Sequence, residues 1–204
     1  MAESKMDAHL EFYKHSLNLA DQEVEYQVTV VGKALKDVVG AAYENHRRRI
    51  WQYFGFTVSK ERFGAMFDVD WSVSYNGKLC AFEEDKGHYL DSCQAGRAIM
   101  GFAKTADVYI KEGKPIPKCI ISTFTRYKKY DEKLKEFWII TKPEIVNELK
   151  KKLVYNTLVS RDRIPPKSWF NIRENRFNCY VSNVEDELII KDIEFIQSLI
   201  PDSQ

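Results

Sequence analysis

The stretch FDVDWSVSYNGKLCAFEEDKGH, residues 67–88, gathers the side chains best suited to chemistry. Asp68 and Asp70 alternate along one run, and Glu84 and Lys86 alternate along the next. In a strand each pair shares a face, with Cα atoms about 6.6 Å apart. Paired carboxylates suit a hard cation such as Mg2+, which keeps several waters and takes one or two carboxylates from protein, usually with substrate phosphate as a further ligand. A lysine beside such a cation can orient or help deprotonate an attacking water and counter the charge that builds on a phosphorane-like transition state. The chemistry within reach is metal-assisted hydrolysis of a phosphate ester.

The elements that must hold these groups are legible around them. Met66–Tyr75 and Lys78–Asp85 read as strands, and Asn76-Gly77 between them is a strong hairpin signal. Before them, Leu35, Val38, Val39, Ala42, Ile50 and Tyr53 recur at helical spacing, which predicts a helix from Leu35 to Phe54 stopped by Gly55. A short strand, Phe56–Ser59, follows. After the hairpin a second helix is predicted over Leu90–Tyr109, with Ala95, Ala98, Ile99, Phe102 and Ala106 on one face. The loop of residues 111–117 ends it, and Lys118–Phe124 reads as a buried strand. Farther on, the pattern predicts a strand at Phe137–Thr141, a helix opened by Pro143 and running through Leu153, an irregular stretch that turns strand-like, and a last helix over Glu185–Leu199. In the first thirty residues Glu3, Asp7, Glu11, Asp21, Glu23 and Glu25 outnumber Lys5 and Lys14, so an acidic helical arm is expected there.

Hairpin register decides whether the candidate ligands meet. With Asn76-Gly77 as a regular two-residue loop, Tyr75 faces Lys78 and Asp70 lies opposite Glu83, which sends Glu84 to the other face. A lysine-free cluster of Asp70, Glu83 and Asp85 would then be favoured. A three-residue loop with Gly77 in a left-handed bulge instead keeps Asp68, Asp70, Glu84 and Lys86 on one side. Catalysis by Lys86 therefore requires an odd loop or a bulge.

Asp70 before an apolar strand, a turn, and Glu84-Asp85-Lys86 closing the next strand resembles the Asp…(Asp/Glu)-X-Lys signature of the restriction-endonuclease-like, or PD-(D/E)XK, nuclease superfamily. The resemblance covers about residues 35–125. It implies an α/β fold with an αβββαβ core and a mixed central sheet. A single nuclease domain would then span 1–204, with a helical arm at 1–34 and an α+β elaboration at 126–204. The resemblance also assigns roles. Asp70 and Glu84 would hold Mg2+, for which Mn2+ substitutes, the backbone carbonyl of Asp85 could also ligate, and Lys86 would assist the water. Asp68 competes with Asp70 for its role, and Asp70 is favoured. Glu44, eleven residues before Gly55, occupies the place of the glutamate that the family often carries on its first core helix; a plain surface acid is the simpler reading. Val69 stands where the signature has proline. His46 falls on the apolar stripe, where a core histidine is the simple reading, although viral cap-snatching members use a histidine on that helix. His88 could touch phosphate or merely end the strand.

The substrate implied is nucleic acid, DNA ahead of RNA. Arg47 and Arg48 on the first core helix and Gln94 and Arg97 on the second are candidate contacts. Residues 104–135 and 161–176 are basic and interleaved with aromatic residues, a pattern that can grip phosphates and stack bases. The global balance, 31 Lys and Arg against 30 Asp and Glu, demands no polyanionic partner. A DNA endonuclease is thus the leading expectation, with an RNA endonuclease of the cap-snatching kind and a catalytically silent binding module as rivals. Homodimers are frequent in the family. Four single cysteines without zinc spacing and no long apolar run lead to the expectation of a soluble intracellular protein with no membrane partner.

Overall fold

The computed structural model describes residues 4–60, 69–86, 92–123, 143–157 and 186–201. Helix α1 (Lys5–Thr29) is followed by α2 (Leu35–Tyr53), β1 (Thr57–Ser59), β2 (Trp71–Tyr75), β3 (Lys78–Lys86), α3 (Ser92–Lys111), β4 (Lys118–Thr123), α4 (Pro143–Lys152), β5 (Leu153–Thr157) and α5 (Asp186–Ser198). The fold is mixed α/β. Its five strands form one sheet in the order β1-β2-β3-β4-β5; β1–β2 and β2–β3 pair antiparallel, β3–β4 and β4–β5 parallel. Between α2 and β4 the described elements run helix, three strands, helix, strand, as expected from the sequence. The predicted strand at 137–141 and the irregular stretch at 163–181 lie outside the described residues. β5 was not anticipated: Leu153–Thr157 follows directly on α4, with no turn residue to separate the two in the sequence.

Each face of the sheet has its own core. On one, Tyr13, Leu17, Ala20 and Val24 of α1 and Val39, Ala42, Tyr43, Ile50 and Trp51 of α2 pack with Ile189, Ile193 and Ile196 of α5 against Trp71, Val73, Ala81 and Ile120. On the other, Ala98, Ile99, Phe102 and Ala106 of α3 and Ile145 and Leu149 of α4 cover Phe82, Cys119 and Ile121. The acidic helix expected at the N-terminus is thus packed into the core. Ser4 and Asp7 close a reciprocal capping box at its start. The buried positions of α2 repeat as pairs, 38/39, 42/43, 46/47 and 50/51. Tyr53, expected on that stripe, is more than a third exposed, while Trp51 is fully buried. No helix among the described residues is long and apolar enough to cross a membrane.

The hairpin combines a tight turn with a bulge. Asn76 (φ 48°) and Gly77 (φ 77°) are both left-handed, as a type I′ two-residue loop requires, and Tyr75 faces Lys78. Ser74 pairs with Leu79, yet Val73 pairs with Ala81, so Cys80 is an extra residue in β3. From there on the register is displaced by one, with Ser72 opposite Phe82 and Trp71 opposite Glu83. The bulge sits within β3 and the loop keeps two residues, so the three-residue loop considered from the sequence is not the one used.

Candidate active site on the bulged hairpin

Continued one step beyond Trp71–Glu83, this register sets Asp70 level with Glu84. Opposed residues share a face, so Glu84 and Lys86 fall on one side of the sheet while Trp71, Glu83 and Asp85 fall on the other, and Asp70 stands in the bend just before β2. Asp70 Oδ2 accepts the backbone N–H of Asp85 at 2.7 Å, which ties the start of β2 to the end of β3. Lys86 Nζ donates to Glu84 Oε1, and both side chains are less than a fifth exposed. Burial pushes the Asp70 carboxyl up to about 7; the Glu84 charge adds to the rise, Lys86 opposes it, Glu44 adds again, and the Asp85 N–H opposes. A carboxyl withdrawn from water therefore stands between acidic neighbours and one lysine.

Glu44 closes the other side. It projects from α2 to Lys60, just past β1, with Nζ and Oε2 2.8 Å apart. Lys60 also lies over the Trp71 ring, 5.0 Å from its centroid. Arg48, one turn after Glu44, is exposed, as is Arg97 on α3; both are open to a polyanion. Gln94 lies in α3 with only its backbone described, and Asp68 and His88 lie outside the described residues.

The opposite face corrects one assignment. Arg47 was expected at a phosphate-binding helix edge, but its side chain is fully buried. Nε donates to Glu83 Oε1 at 2.6 Å, and Nη1 donates to Asp192 Oδ2 at 2.5 Å and to Tyr13 Oη at 3.2 Å. Trp51 Nε1 and Ser122 Oγ also donate to Glu83, and Tyr13 Oη donates to Asp192. Burial alone would lower Arg47, yet Asp192, Glu83, Tyr13 and Asp85 together hold it well above its ordinary value, so it is a permanent cation enclosed by acids. No phosphate can reach it. His46 is likewise buried, with Nδ1 2.9 Å from Ser16 Oγ, and burial followed by Arg47 and Arg49 lowers it well below the usual histidine range. It is a neutral core residue.

Asp85 sends its side chain into this second face. Oδ2 accepts from Trp71 Nε1 at 2.9 Å, while Oδ1 is buried with no hydrogen-bond partner among the described residues. Burial, then Glu83 and Asp70, raise its carboxyl well above the carboxylate range. The lysine-free cluster of Asp70, Glu83 and Asp85 is therefore not assembled: Glu83 belongs to Arg47, the Asp85 side chain to Trp71, and Asp70 to the bend before β2. Sequence reasoning missed Lys60, Trp71, Tyr13 and Asp192. For Arg47 a signal existed, since Tyr43, Arg47 and Trp51 repeat every four residues along the buried stripe. For Asp192, distant in sequence, none did.

Among the described residues no three His, Cys, Asp or Glu side chains are grouped so as to hold a metal ion. The site instead offers two carboxylates, Asp70 and Glu84, that act on each other electrostatically, while Glu44 is held by Lys60. That donor set fits Mg2+, a hard cation that retains water and rarely takes more than two protein carboxylates. Compared with known proteins, the chain matches no family model, no curated protein and no solved structure.

Proposed function

We propose that this chain is a metal-dependent endonuclease that hydrolyses phosphodiester bonds in DNA, built on a restriction-endonuclease-like core. One observation carries the reading: the Cys80 bulge sets Glu84 and Lys86 on the face opposite Glu83 and Asp85, with Asp70, just before β2, buried within their electrostatic reach and hydrogen-bonded to the Asp85 N–H. The helix-strand-strand-strand-helix-strand order supports the same reading. Asp70 and Glu84 would hold Mg2+ or Mn2+, with the Asp85 carbonyl and Glu44 as further oxygen donors. When bound, the metal supplies Lewis-acid activation of water and neutralises phosphate charge.

The chain's own residues perform the rest. The Asp85 N–H fixes one oxygen of Asp70 and leaves the other to face the reacting groups. Lys86, paired with Glu84, orients the attacking water and stabilises the negative charge that develops at phosphorus. The water oxygen bonds to phosphorus as the P–O3′ bond breaks, which leaves a 5′-phosphate and a 3′-hydroxyl. Arg48 and Arg97 provide exposed charge for the nucleic-acid backbone. Two copies acting as a homodimer would cut both strands. RNA cleavage of the cap-snatching kind is the weaker reading, because His46 is enclosed by Ser16 and Tyr13.

Incubation with supercoiled plasmid and with single-stranded RNA, each with and without Mg2+ or Mn2+, tests the proposal. Metal-dependent nicking of plasmid, lost in Lys86→Ala, is the expected result. Cleavage of RNA alone would select the rival substrate. No cleavage, together with no metal binding by calorimetry, would overturn the enzyme and leave a silent module of the same fold.

A further inference from the structure

Lys60 is the cation of this site that the hydrolytic scheme leaves without a task. It follows β1 directly, and continuing the β1–β2 register beyond Ser59–Ser72 sets it level with Trp71. Lys60 thus shares the face of Trp71 and Asp85 while Lys86 of β3 lies on the other, so the two lysines come within electrostatic reach of Asp70 from opposite faces of the sheet. Asp70 and Asp85 both act on Lys60 electrostatically. Its side chain is nonetheless 62% exposed, against 24% for Glu44, so the ammonium is presented at the rim.

The partners of Lys60 explain how it could exchange them. A lysine–carboxylate pair whose ammonium is open to water contributes little, so breaking the contact to Glu44 costs little. The Trp71 ring face beneath the ammonium supports it in either arrangement. Trp71 is itself anchored, since its indole N–H donates to Asp85. Lys60 can therefore move between an oxygen of Glu44 and an incoming anion while its ring contact persists. Departure of Lys60 would also free Glu44, leaving that carboxylate to a cation held by Asp70.

We propose that Lys60 is a second phosphate-binding cation of the site: it pairs with Glu44 in the free protein and turns to a non-bridging phosphodiester oxygen when nucleic acid enters. This rests on the nuclease reading and adds a substrate contact to it. Lys86 and Lys60 would then flank the scissile phosphate from opposite sides.

The test is equilibrium binding of a short fluorescein-labelled DNA duplex, followed by anisotropy across a salt series, with Ca2+ in place of Mg2+. Lys60→Met should weaken binding about 3–10-fold and reduce the slope of log affinity against log salt by about 0.9, one phosphate contact. Lys60→Arg should restore both. With EDTA in place of Ca2+, so that Glu44 has no cation to hold, Glu44→Gln should tighten binding, and adding Lys60→Met should remove most of that gain, which a merely structural pair would not produce. Thermal melting of Lys60→Met should stay within a few degrees of the unaltered protein, since only an exposed pair is lost. If the unaltered protein binds DNA and Lys60→Met leaves affinity and salt slope unchanged, the inference is overturned and the nuclease reading stands. A chain that neither binds DNA with Ca2+ nor cleaves it with Mg2+ overturns both.

Discussion

Replacing Asp70 by asparagine should stabilise the metal-free protein at alkaline pH while removing its response to Mg2+. Folded Asp70 keeps its proton up to about pH 7, whereas an unfolded aspartate loses it near 3.8. Between those values the folded chain binds more protons than the unfolded one, so stability falls as pH rises through the window, completing its loss above about pH 7. The displacement is 7 minus 3.8, about 3.2 pH units, and at 1.36 kcal/mol per unit it amounts to about 4 kcal/mol. Asparagine removes the charge, and its carbonyl oxygen can still accept the Asp85 N–H. Burying the new amide costs about 1–3 kcal/mol. The net gain at pH 8 is therefore about 1–3 kcal/mol, a rise in melting temperature of about 2–12 °C for a chain of this size. At pH 4.5, where both side chains are neutral, the gain should vanish. Thermal melting in EDTA at the two pH values measures this directly. Adding Mg2+ at pH 8 should then raise the melting temperature of the unaltered protein but not of the variant. A variant no more stable than the unaltered chain at pH 8, or a difference independent of pH, would refute the reasoning that burial beside Glu84 raises the Asp70 carboxyl.

Other perturbations separate the two faces of the sheet. Arg47→Ala should destabilise the fold by about 3–5 kcal/mol in urea unfolding, because it strands Glu83 and Asp192 without their cation. Arg48→Ala should leave stability nearly unchanged and weaken DNA binding, with a shallower salt slope. Lys86→Ala should reduce plasmid cleavage at least about 100-fold and also lower stability by about 1–3 kcal/mol, since it leaves the largely buried Glu84 without its cation; activity and melting curves check the two claims. Cys119, whose thiol is pushed up to about 12 by burial, should resist maleimide at neutral pH until the chain unfolds, as followed by mass spectrometry of the labelled peptide.

Much of the scaffold was written locally. The stripe on α2, the stop at Gly55, the Asn76-Gly77 turn and the helices that open near Ser92 and Pro143 follow from side-chain spacing and from φ preferences, which act within a few residues. The pairing of Glu84 with Lys86 was equally legible, because two residues apart on a strand always means one face. Which of the four consecutive charges 83–86 faces which core was not. Only the extra residue Cys80 in the ladder displaces the register, and a bulge has no fixed local signature, so the three-dimensional pairing had to decide it. The fate of Arg47 is similar. A row of three arginines reads as a solvated edge, yet the stripe of α2 carries the first of them inward, where Glu83 from β3 and Asp192 from α5 are waiting. Composition and periodicity fix what most elements are, β5 excepted. The partners that make a buried charge tolerable come from distant parts of the chain, and they meet only when the sheet and its two helical layers are assembled.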